Sequence, residues 1–78
     1  MTKETIIETI KNFLRENLSG TFNDADANLM EAGMDSLTTI KLIIHLENTF
    51  HFSYEDDDLL EENFKTMNII ADYIKKTV

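Results

Sequence analysis

The chain has no cysteine, no proline and no tryptophan, and only two glycines in 78 residues. Without cysteine there are neither disulfides nor thiolate metal sites, so packing alone must hold the fold, the usual arrangement in a reducing compartment. Without proline nothing interrupts a helix from inside. Gly20 and Gly33 both fall between periodic segments, which favours helices joined by loops. Basic residues are also scarce, seven against fifteen acidic ones, for a net charge of −8. That field repels nucleic acid and anionic membranes and attracts partners with basic patches. No apolar run approaches a membrane span, and the N-terminal MTKETIIETI has no signal-peptide core. These absences point to a cytoplasmic protein that binds neither nucleic acid nor membrane, and a monomer is the expectation.

What is present suffices for one small domain over residues 1–78. Hydrophobic residues make up 42% of the chain, enough for a single core and too many for the disordered class. Residues 3–18 carry Ile6, Ile7, Ile10, Phe13, Leu14 and Leu18 at helical spacing, with Ser19-Gly20 as the stop. Thr5 and Glu8 have capping-box spacing, and Thr2 is an equally good cap. Residues 21–35 lack periodicity and read as a long loop pinned by Phe22, Leu29 and Met30; a loop this long in so small a domain argues for a use. A second helix is expected over 36–50 and a third over 66–77, with Thr66 as its N-cap. The acidic stretch 53–63 has room for one or two helical turns. The sum is an all-α fold, a small four-helix bundle of three longer helices and one short one.

The second helix carries more apolar surface than a core needs. At about 100° per residue, Leu42, Ile43, Leu46 and Phe50 form one stripe, and Leu37, Ile40 and Ile44 form another. Either the helix is wrapped on both sides, or the second stripe stays exposed and meets a partner. That stripe begins one residue after Ser36. Either Ser36 or Asp35 would cap the helix, for about 1 kcal/mol. A catalytic role for Ser36 would need a base, but His45 lies nine residues along the same helix, ~13 Å away at the helical rise. Covalent attachment of a phosphate-linked group needs no such base. A helix start, with free N–H groups and the positive end of the dipole, favours the phosphate.

The segment GMDSL (residues 33–37) resembles the phosphopantetheine attachment motif of acyl and peptidyl carrier proteins. DSLTTIKLIIHLENTFHF and DLLEENFKTMNIIADYI resemble the later helices of that family, so the likeness spans essentially the whole chain. The resemblance implies a non-catalytic discrete carrier with 4′-phosphopantetheine, taken from coenzyme A, on Ser36. Its thiol would hold acyl or aminoacyl groups as thioesters. Asp35 would serve the docking of a phosphopantetheinyl transferase and its magnesium. Met34, Leu37, Ile40, Lys41, Ile44 and Glu47 fall on positions offered to partners, namely a loading enzyme and downstream biosynthetic enzymes. Carriers of bacterial fatty acid synthesis usually have a strongly acidic second helix; here Lys41 and His45 interrupt it and Glu47 is its only acid. The ending LLEENFKTM is more like carriers of specialised-metabolite pathways, with fatty acid or polyketide synthesis as the alternative.

A reading of another class is a calcium loop in DADANLMEAGMD. Asp24, Asp26, Asn28 and Asp35 occupy the first, third, fifth and twelfth positions of an EF-hand, but Leu29 stands where glycine is needed and the twelfth residue is not glutamate.

Overall fold

Thr2 sets the start of α1 (Lys3–Asn17): its hydroxyl accepts the Thr5 N–H at 3.2 Å, so the cap lies at Thr2 and Thr5 is inside the helix. The computed structural model describes residues 2–78. Ile6, Ile10 and Leu14 recur every four residues along α1 and are buried, while Leu18 leaves the helix in an extended conformation. α2 (Ser36–Phe50) buries Leu42, Leu46 and Phe50, and α3 (Met67–Thr77) buries Met67, Ile70, Ala71 and Ile74. α1 packs against both α2 and α3. Thr66 caps α3 by accepting the Ile69 N–H, and Lys75 and Lys76 lie at the negative end of its dipole.

The short fourth element is two 3-10 turns, Asp56–Asp58 and Glu61–Phe64, rather than an α-helix. Consecutive like charges and a poor helix former such as Asp work against a continuous α-helix there. Among the described residues there is no strand, and no helix is long and apolar enough to cross a membrane.

The long loop is ordered by specific bonds. Arg15 donates to the Thr21 carbonyl and to Asn23 Oδ1, both at 3.0 Å. Leu29 N–H reaches the Lys65 carbonyl at 2.9 Å, and Asn68 N–H reaches the Ala25 carbonyl at 3.0 Å. Phe22 and Leu29 are buried and Met30 is half-buried against the core. Gly33, at φ +113°, makes the turn that delivers the chain to α2, a conformation that side chains disfavour. The loop therefore places residues 34–36 at a fixed point on the bundle.

Candidate functional site

Asp35, not Ser36, caps α2. Its Oδ1 accepts the Thr38 N–H at 2.8 Å, and its carbonyl accepts the Thr39 hydroxyl at 2.8 Å. The Thr38 backbone N–H, followed by the Thr38 side chain, holds the Asp35 carboxyl below its ordinary value. Because Asp35 takes the cap, Ser36 becomes the first residue of the helix itself, exposed to solvent. Among the described residues neither its hydroxyl nor the N–H groups of Ser36 and Leu37 have a hydrogen-bond partner. An exposed, uncommitted hydroxyl thus stands beside two free amides at the positive end of a helix dipole.

From Ser36 the apolar stripe runs along the outside of α2: Leu37 is 61% exposed, Ile40 55% and Ile44 53%. The helix is therefore not wrapped on both sides. Lys41 is exposed next to that stripe, and His45 stacks on Phe13 with ring centroids 5.0 Å apart. Three residues on or beside α2 sit differently from what the sequence alone suggests. Met34 is only 3% exposed and belongs to the core, because the turn after Gly33 directs it inward, so it offers no partner surface. Glu47 is half-buried, and its Oε2 accepts the Tyr54 N–H at 2.8 Å, which ties the chain after α2 back onto the helix. Ile43 is half-buried rather than part of the fully buried stripe.

Ile43 instead helps line a groove of about 410 Å³ that opens beside Ser36. Ile40 and Ile43 form the α2 side, and Leu59, Leu60 and Phe64 come from the 3-10 segment. Thr39 and Glu61 are the other polar residues with Ser36. Sequence periodicity missed this groove because its far wall has no period. The available signal was Leu59-Leu60, an apolar pair in an acidic stretch too short to bury both. That far wall is tied down by Tyr73, whose hydroxyl donates to Asp58 Oδ2 at 2.8 Å, and by Tyr54, whose ring stacks on Tyr73 at 4.6 Å.

The oxygens considered as calcium ligands do not converge. Asp24 Oδ1 accepts the Asp26 N–H, Asn28 Oδ1 accepts the N–H groups of Met30 and Glu31, and Asp26 Oδ1 accepts from Asn68. Asp35 is occupied with its cap. Asp24 and Asn28 serve turns, Asp35 serves a helix start and Asp26 ties the loop to α3, and among the described residues no group of three or more histidine or acidic side chains is placed to hold a metal ion.

The arrangement defines a class: a small helical bundle presenting one free serine at a helix start, flanked by an apolar surface. Residues 4–74 match the family model described as phosphopantetheine attachment site. An acyl carrier protein of Exiguobacterium sibiricum is 31% identical over the full length of both chains. A D-alanyl carrier protein of Streptococcus uberis is 32% identical, covering 95% of this chain and 91% of the relative. Among solved structures, a chain in the Bradyrhizobium japonicum glycine:[carrier protein] ligase complexed with glycylated carrier protein superposes with a TM-score of 0.72. That likeness covers 92% of this chain and 95% of the other at 18% identity, and shows the fold. The chain belongs to the acyl and peptidyl carrier family, whose members bear a phosphopantetheine attachment site.

Proposed function

We propose that Ser36 is the attachment point of 4′-phosphopantetheine and that the chain carries aminoacyl or acyl groups between enzymes. The observation that carries this reading is the exposed, unpartnered Ser36 hydroxyl at the first position of α2. The residues present fit the group: the free amides of Ser36 and Leu37 would hold a phosphodiester there, and the groove opens beside Ser36. When bound, the arm supplies the thiol that this cysteine-free chain lacks, and cargo is held on it as a thioester. The protein's own residues position and present; a separate transferase activates the serine. Leu37, Ile40 and Ile44, with Lys41 at their edge, form the surface offered to the transferase, to a loading enzyme and to downstream enzymes.

We favour aminoacyl cargo. In support, α2 lacks the acidic face that suits basic fatty acid enzymes, and relatives named D-alanyl carrier proteins match over nearly the whole chain. The full-length match to an acyl carrier protein supports the acyl alternative. The setting we favour is cytoplasmic, in specialised-metabolite biosynthesis. Incubation with coenzyme A, magnesium and a phosphopantetheinyl transferase should add one arm, read by intact mass, and Ser36→Ala should abolish the addition. An arm still added to the alanine variant would overturn the assignment.

A further inference from the structure

We infer that the groove beside Ser36 holds the amine end of an aminoacyl cargo, with Glu61 as the residue that selects it. This rests on the carrier reading of Ser36 and goes one step beyond it, to the chemistry of what is carried. The groove is mostly hydrocarbon, with Ile40, Ile43, Leu59, Leu60 and Phe64 on its walls. Each polar lining group can be accounted for in turn. Ser36 is the attachment point, and the Thr39 hydroxyl donates to the Asp35 carbonyl. That leaves Glu61, which among the described residues is the only charged one lining the groove. Among the described residues its carboxylate has no hydrogen bond or ion pair.

An unpaired carboxylate at the edge of a small apolar groove complements a short organic group bearing a cation. An α-aminoacyl group on a folded-back arm has that form: a few carbons for the leucines and an ammonium for Glu61. A plain acyl group of the same size would gain the apolar contacts and leave the carboxylate unmatched. Glu61 is exposed, so water screens the pair, and an exposed ion pair favours the bound form by no more than about fivefold. Covalent attachment compensates, because a tethered group reaches effective concentrations of roughly millimolar without any binding step. The net charge of −8 acts in the same direction on any cation near the surface.

The test compares two arms transferred to Ser36 from coenzyme A analogues in which a stable amide replaces the thioester. One ends in glycyl and the other in propionyl, which has the same shape but no amine. Intact mass first records whether Ser36 takes the arms; if it takes neither, the carrier reading fails and this inference with it. With both loaded, the methyl resonances of Leu59 and Leu60 and the Glu61 carboxylate carbon should differ between the glycyl and propionyl forms. The difference should vanish in Glu61→Gln, shrink several-fold in high salt, and persist in the neighbouring control Glu62→Gln. Identical spectra for the two arms, or a difference that survives Glu61→Gln, would overturn the role of Glu61 while leaving Ser36 as the attachment point.

Discussion

An aspartate walked along α2 separates its three environments. Ile44 is more than half exposed, so Ile44→Asp should cost at most about 0.5 kcal/mol. Leu46 is fully buried, and a carboxylate there loses its hydration with no partner to replace it. Removing the leucine side chain alone costs about 2–5 kcal/mol, before any charge is buried. At roughly 0.05–0.15 kcal/mol per residue, a domain of 78 residues is stable by only ~4–12 kcal/mol. Leu46→Asp should therefore unfold most of the protein at room temperature. Ile43→Asp should fall between them, since its side chain is half-buried and one side faces the groove. Urea denaturation followed by circular dichroism gives the three stabilities, and arm transfer to Ser36 measures docking. Ile44→Asp should slow the transfer sharply with the fold intact, because it puts a charge amid Leu37, Ile40 and Ile44 where a partner must desolvate it. Severe unfolding by Ile44→Asp, or unchanged transfer, would refute the assignment of this face to partners.

Among the described residues the buried Tyr54 hydroxyl has no hydrogen-bond partner, so Tyr54→Phe should stabilise the protein by about 1 kcal/mol in thermal or urea unfolding. Burial pushes the Tyr54 phenol above its ordinary value of 10.0, so its contribution is intact below pH 10 and is lost as pH rises through the elevated value. Alkaline destabilisation should accordingly be weaker in Tyr54→Phe. Glu47→Ala removes the acceptor of the Tyr54 N–H and should cost roughly 1–3 kcal/mol, where a free surface glutamate would cost almost nothing. Asp35→Ala should lower the urea midpoint while Ser36→Ala leaves it nearly unchanged, since the cap bond runs from Thr38 to Asp35. The Asp35 carboxyl is held below 3.8, so its contribution is complete above that pH and lost as pH falls through the lowered value. Denaturation curves of wild type and Asp35→Ala should thus converge in strong acid.

Local signals were enough for the helices, and they singled out one serine at a helix start. Ile6, Ile10 and Leu14, or Ile70 and Ile74, repeat at the helical period whatever packs against them, and the same period shows that α2 has two apolar stripes. The motif around Ser36 is contiguous, so its likeness to an attachment site was legible too. Periodicity could not say which stripe is covered, because that depends on where α1 and α3 lie. It also could not assign the cap between Asp35 and Ser36, since both side chains can bond a first-turn N–H and only the backbone path after Gly33 decides between them. Met34 and Glu47 looked available beside the stripe, yet the turn buries one and the returning chain at Tyr54 engages the other. The groove depends most on tertiary structure: its walls come from residues some twenty positions apart, joined by an acidic segment without helical period. Sequence specifies what each segment prefers by itself, and only packing brings Glu61 to the edge of the same groove as Ser36.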